Sequence, residues 1–253
     1  MTVRRAVSAG RFYPGGREAL ATTVDALLGE THPDSSLRGV VAPHAGYAYS
    51  GSVAAAAFRL VPRPERVVVL GPSHFVPFDG CAVSAVDAWT TPLGDVPVDE
   101  ELRNGAIAAG CRAGDEPHVS DHAIEVELPF LQRICGPEIS VLPVAVGSAD
   151  PAEVAGVLAA LDAFVVVSTD LSHFLDHATA QERDRRTAAA VLATDTAAIA
   201  DGDACGAHAL RGAVEHARRA GLRFELLDLQ TSAETTRDRD RVVGYGAFAL
   251  RGA

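Results

Sequence analysis

The sequence predicts an α/β chain folded as a three-layer αβα sandwich, and three observations predict it. Runs rich in Val, Ile and Leu alternate with helix-like stretches through most of the chain. Those runs are apolar almost throughout, as strands covered on both faces tend to be. The length of 253 residues, 48% of them apolar, suits one domain with a sizeable core, and neither a long linker nor an internal repeat divides it. Residues 1–253 are therefore expected to form a single domain.

The elements follow in order. Arg17–Leu28 reads as a helix. Gly39–Ala42 is a strand, ended by Pro43, which disfavours helical backbone at Ala42. Ser52–Leu60 is a short Ala-rich helix, and Val67–Leu70 a strand broken by Gly71-Pro72. Val83–Trp89 and Thr91-Pro92-Leu93-Gly94 fall outside the strict alternation and read as a strand and turn, forming an antiparallel edge or a flap. A helix over Asp99–Ala109 follows Pro97. Another over His122–Ile134 carries apolar residues at helical spacing, with Ser120 or Asp121 as its cap. After the strand Ile139–Val146, a helix over Pro151–Leu161 has Asp150 as N-cap and Pro in its first turn. Phe164–Ser168 is a strand. Ala178–Ala200 and Ala204–Ala220 are helices, the second stopped by Gly221. Strands Phe224–Leu229 and Val243–Leu250 close the chain around a charged loop at 235–241.

Asp and Glu number 33 against 22 Lys and Arg, a formal charge of −11. That balance argues against a nucleic-acid surface, which needs a basic stripe, and against anionic lipid. No apolar run reaches the roughly 18–20 residues that span a bilayer. The first residues, Met-Thr-Val-Arg-Arg, lack the apolar core of a signal peptide, so a cytoplasmic protein with no membrane partner is expected. The cysteines Cys81, Cys111, Cys135 and Cys205 form no C-x-x-C pair and no zinc-finger spacing. The first three read as small buried hydrophobes.

Three of the strands run straight into a histidine: His44 after Ala42-Pro43, His74 after Gly71-Pro72-Ser73, and His173 after Ser168-Thr169-Asp170-Leu171-Ser172. Ligands of open α/β sheets bind at the carboxyl ends of strands. Imidazoles delivered there by separate strands can converge on one pocket, as metal ligands or as acid/base groups. Taken alone, a single histidine after a strand such as His44 reads first as a surface-loop residue; two on different strands strengthen each other. Asp170 and His173 are three apart, a spacing that one helical turn would bring to one side. A carboxylate beside His173 would raise its pKa and fix its tautomer, making it a candidate general base or acid. The alternative is a helix cap at Asp170 with an exposed histidine beside it. His122 and Glu125 share a helix face and could line the same pocket, or could belong, with Asp121 and Glu127, to the acidic first turn of a surface helix. Cys205 lies at a helix start, where thiolate is favoured, with Gly206 leaving space beside the sulfur. By itself it reads as an inert buried cysteine. His208 and His216 read as exposed helix residues. The chain has no Gly-x-Ser-x-Gly, Walker A or Gly-x-Gly-x-x-Gly motif.

Taken in order, several pieces resemble the Memo family, whose prokaryotic branch includes the AmmeMemoRadiSam system protein B. They are Ala9-Gly10-Arg11-Phe12-Tyr13-Pro14, Pro43-His44-Ala45-Gly46-Tyr47, Gly71-Pro72-Ser73-His74, Thr91-Pro92-Leu93-Gly94, and Asp121-His122-Ala123-Ile124-Glu125-Val126-Glu127-Leu128-Pro129-Phe130. Ser168-Thr169-Asp170-Leu171-Ser172-His173, Ala204-Cys205-Gly206 and Val243-Gly244-Tyr245-Gly246-Ala247 follow. The resemblance implies the αβα fold of class III extradiol dioxygenases, which hold non-haem Fe(II) with two histidines and a carboxylate. It implies a metal set of His44, His74 and Cys205, with His173, Asp170 and His122 as catalytic groups nearby. Iron (Fe2+) is the expected metal, with copper and zinc as alternatives. A soft, oxidisable thiolate in place of a carboxylate shifts metal preference and argues against simple ring cleavage. The implied activity is redox or oxygen-dependent chemistry on a small molecule or peptide. The family name also implies a functional link to a radical-SAM protein. Competing readings are an extradiol-type dioxygenase and a non-catalytic module that binds a peptide or protein.

Overall fold

The computed structural model describes residues 1–252. Along the chain run β1 (Val3–Arg4), α1 (Arg17–Leu28), β2 (Leu37–Ala42), α2 (Tyr47–Phe58), β3 (Arg66–Pro72), β4 (Cys81–Val83), β5 (Ala88–Thr91), β6 (Gly94–Pro97), α3 (Glu100–Ala108) and β7 (Arg112–Ala113). Then come α4 (Ala123–Cys135), β8 (Ser140–Val146), α5 (Pro151–Ala159), β9 (Phe164–Ser168), β10 (His173–Leu175), α6 (His177–Leu192), α7 (Ala207–Ala220), β11 (Arg223–Thr231), α8 (Ala233–Thr236) and β12 (Val242–Arg251).

A nine-stranded mixed sheet forms the middle layer. Its centre is parallel, in the order β2-β9-β3-β8. β12 pairs antiparallel with β2, and β11 with β12; on the other side β4 pairs antiparallel with β8 and parallel with β7. α1, α2 and α4 pack on one another and on one face; α5, α6 and α7 cover the other. Past their first residues the central strands are buried, which is why they read as continuous apolar runs; Arg38 in β2 is the exposed exception. The three-layer αβα sandwich expected from the alternation is present. No helix among the described residues is long and apolar enough to cross a membrane.

Four local expectations change. α2 begins at Tyr47, not at Ser52, because tertiary packing extends it: Tyr47, Ser50 and Gly51 are buried. A Cβ at Gly51 would stand 2.8 Å from Leu27 Cδ1, so glycine permits α1 to pack this closely. The helix expected to reach Ala200 ends at Leu192. Thr194 turns to positive φ, and the Asp195 side chain accepts from Ala197 N and Ala198 N, so the chain breaks into 3₁₀ turns. The run 83–89 splits between two sheets. β4 joins the main one, whereas β5 and β6 form a hairpin that makes a separate three-stranded sheet with β1. Finally, Asp170–His173 forms no helical turn. Leu171 N donates to Gly244 O, and His173 enters β10 against β12.

The register of the parallel strands positions the site. Ala42 pairs with Ser168, and Leu70 with Val167. The residues following β2, β3 and β9 therefore emerge side by side at one end of the sheet.

Candidate metal centre

His44 is buried and held at both ends. Its backbone N–H donates to Asp170 Oδ1 at 2.9 Å, and its Nδ1 lies 2.8 Å from Ser168 Oγ. Its Nε2 lies 3.3 Å from the sulfur of Cys205. His74 is fixed from the segment leading into α4: its backbone N–H donates to Asp121 Oδ2 at 2.6 Å and its Nδ1 lies 3.1 Å from Asp121 Oδ1. Since a carboxylate only accepts, His74 Nδ1 carries the proton and Nε2 is the nitrogen left to bind a ligand. Cys205 is placed by the β9 exit: Asp170 N–H donates to its sulfur at 3.3 Å, and Cys205 N–H to Asp170 O at 3.2 Å.

One ligand atom each from His44, His74 and Cys205 lies within 4.8 Å of the other two. Two imidazoles and a thiol converging this closely fit a borderline or soft metal ion. Both imidazoles have a protein partner on Nδ1, the usual arrangement around metal-binding histidines, where the partner fixes tautomer and ring orientation. The residues thus fit the metal that the resemblance implies.

The electrostatics suit ligands rather than ions. Burial, reinforced by His122 and His74, pushes His44 well below the usual imidazole range. His122 is brought down to about 4 by burial and by His74. Both shifts favour the neutral imidazole, with a lone pair available. Asp121 is held at about 2: burial opposes its charge, but its bonds to His74 and to Ala123 N outweigh that. The Cys205 thiol is pushed up to about 12, first by burial and then by Asp170. Burial therefore opposes the thiolate that a helix start favours, and a bound cation would favour it. Gly206 has a different task from leaving room by the sulfur. Its N–H donates to Thr169 Oγ1 at 2.9 Å, and a Cβ there would stand 2.8 Å from that oxygen.

His122 joins the cluster. Its ring stacks on His74 at 4.8 Å between centroids and on Phe12 at 4.2 Å, and meets His44 edge-on at 5.2 Å. Asp170 is buried beside His44, and burial pushes its carboxyl up to about 7. It does not partner His173, as the spacing had suggested. His173 Nδ1 lies 2.8 Å from Leu171 O, and burial lowers its pKa, with a further push down from His74. Residues 170–172 form no helical turn, so the spacing of three does not bring the carboxylate to that ring.

Glu125 does not line the pocket. Its Oε2 accepts from Arg4 Nη1 at 2.6 Å and from Val7 N, and its Oε1 from Ser8 N and Tyr13 Oη. This clamp ties the N-terminal segment over α4 and presents Phe12 to His122. Glu127 is also fully buried, so α4 is no acidic surface helix. Cys81 and Cys111 are buried as expected, whereas Cys135 is half-buried. His208 and His216 are half-buried rather than exposed, and His208 Nδ1 lies 3.0 Å from Ala149 O. Sequence reasoning missed Ser168, the Nδ1 partner of His44. Its one signal is a hydroxyl ending a Val-rich buried strand.

Known proteins resemble this chain along nearly its whole length. A model described as "Memo-like protein" matches residues 4–249. Proteins named "MEMO1 family protein" from Aquifex aeolicus and Methanococcoides burtonii are each 34% identical, over 262 and 268 residues. These alignments cover 97% and 98% of this chain, and 98% and 100% of the relatives. One of the same name from Archaeoglobus fulgidus is 34% identical over 262 residues, with 96% of this chain and 97% of the relative covered. With the family model matched over nearly its whole length and relatives aligned end to end, the chain belongs to the Memo family.

Proposed function

We propose that the protein binds a single metal ion, iron in the first place, through His44, His74 and Cys205, and uses it in redox or oxygen-dependent chemistry on a small molecule or peptide. The observation that carries this reading is the convergence of the three ligand atoms within 4.8 Å, with each imidazole fixed through Nδ1. Copper and zinc are the alternative occupants, since thiolate suits both. An iron bound there supplies an electron-transfer and oxygen-binding centre.

The surrounding side chains would manage protons and access. Asp170, with its carboxyl near 7, can hold or release a proton beside the His44 backbone at neutral pH. His173 donates Nδ1–H to Leu171 O, so its Nε2 is free to accept a proton from a substrate. His122, favoured as the neutral imidazole and stacked on Phe12, shapes the wall of the pocket. Phe75 and Phe174, exposed beside His74 and His173, offer apolar surface to a substrate. A cytoplasmic setting rests on the sequence expectation alone, and a link to a radical-SAM protein on the family resemblance.

A second set, His74, Asp121 and His122, has the two-histidine, one-carboxylate composition of oxygen-activating iron sites. It favours the dioxygenase reading less than it first suggests. Both Asp121 oxygens are already bonded to His74 and to Ala123 N, so this carboxylate orients a ligand instead of being one.

The test is elemental analysis of untagged protein beside Cys205→Ser and His44→Ala. Near-stoichiometric iron or copper in the wild type, lost in both variants, is the expected result. Full metal occupancy in the variants overturns the ligand assignment. A wild type that is metal-free and refuses Fe(II) and Cu(I) would favour the binding module, and ring-opened product from a catechol panel would favour the dioxygenase.

A further inference from the structure

β4 and β7 meet at one edge of the main sheet, where Ala82 pairs with Arg112 and Val83 with Ala113 in parallel. One step back in that register stand Cys81 and Cys111. Facing residues of neighbouring strands project to the same side of a sheet. Both cysteines are free, and both belong to the same hydrophobic core, 3% and 4% exposed. Neighbouring strands lie about 4.7–4.9 Å apart. That falls within the roughly 4.4–6.8 Å between the Cα atoms of a disulfide. The two side chains also act on each other: hydrogen bonding to Cys111, and then burial, push the Cys81 thiol well above the usual thiol range.

Cys111 is the better placed of the two to meet a reagent from solvent. It directly precedes β7, the last strand on this side of the sheet, and both residues of β7 are exposed. Cys81 lies one strand further in, paired with Val146 of β8. The position matters for the fold. β4 follows the loop that carries His74, and β7 leads through residues 114–122 past Asp121, so a bond here would fasten together two segments that reach the metal centre.

We infer that Cys81 and Cys111 form a two-thiol oxidation site, which a small disulfide such as oxidised glutathione converts reversibly into a covalent bond between β4 and the residue entering β7. The Cys111 thiolate attacks one sulfur of the small disulfide and expels the other half as a thiolate. Cys81 then attacks the Cys111 sulfur of the mixed disulfide, and the second small thiolate leaves. The two protein protons end on the two released thiols. Two protein thiols are oxidised, and one small disulfide is reduced.

The experiment holds the folded wild type at neutral pH in excess oxidised glutathione, beside Cys111→Ser and Cys135→Ser. Samples are quenched in acid, unfolded, alkylated and digested with trypsin. Cleavage after arginine places Cys81 on the peptide 67–103 and Cys111 on the peptide 104–112. In wild type the two are expected as one linked species, lighter than their sum by two hydrogens, with both thiols lost to alkylation and both restored by dithiothreitol. Cys111→Ser should lose the linked species, and Cys135→Ser should keep it. Free Cys81 and Cys111 in the oxidised wild type, or a Cys111–glutathione adduct that never passes to the bond, overturns the inference. So does a bond that forms only in denaturant, because the register of β4 and β7 is then not what brings the sulfurs together.

Discussion

His44 Nε2 and the Cys205 sulfur lie 3.3 Å apart although 161 residues separate them. The contact depends on Gly206, because the backbone after Cys205 presses against Thr169 where no Cβ fits. Gly206→Ala is expected to cost about 1–3 kcal/mol, the range for overpacking a tight interior site. It should also shift the sulfur away from His44. Denaturant unfolding and metal content check the two effects separately. A variant with wild-type stability and full metal content would show that the close approach tolerates a methyl group.

Asp121 acts on the metal through His74. Asp121→Asn keeps the size but loses the charge that holds Nδ1–H, so metal affinity is expected to fall by about 10–100-fold. Competition with a chelator measures it. Affinity unchanged from wild type would return Asp121 to a purely structural role at the start of α4.

The Arg4–Glu125 pair is buried, with side chains 5% and 0% exposed. Arg4 also donates to His118 O and Asp121 O, so it joins the N-terminus to the loop that carries the site. Arg4→Met strands a buried carboxylate and is expected to destabilise by about 3–5 kcal/mol. Adding Glu125→Gln should recover part of that loss. In both variants Phe12 should loosen from His122, which the ring-current shift of His122 reports. A single variant as stable as wild type would contradict the account of the clamp.

His118 gives a pH dependence that lies away from the ligands. Burial lowers it to about 4 from an ordinary 6.5, and its Nε2 lies 3.2 Å from Ala82 O. Between those values the unfolded chain binds the proton and the folded chain does not, so stability rises with pH across the window. It is expected to be complete above about 6.5 and to decline towards 4, by about 3 kcal/mol for this residue. His118→Gln should flatten that part of the stability–pH curve. His44 and His122 contribute with the same sign, so the comparison is the difference between variant and wild type. Parallel curves would rule out His118 as a source.

Much of the site could be read before folding was considered. Val-rich runs ending in Pro-His or Gly-Pro-Ser-His identify buried strands and their carboxyl ends, because apolar continuity and proline geometry are local properties. The alternation of these runs with helices determined the αβα architecture, and the helix caps at Asp150 and Gly221 followed from residue chemistry alone. Partnership was decided only in three dimensions. Spacing suggested that Asp170 serves His173 and that Glu125 shares a pocket with His122. The fold instead gives Asp170 to the His44 backbone and Glu125 to Arg4. Likewise, a helix start favours a thiolate at Cys205, but burial there opposes it. The reason is the same in each case. Hydrogen-bond partners and desolvation are set by which strand lies beside which, and residues more than a hundred positions apart carry no local sign of that.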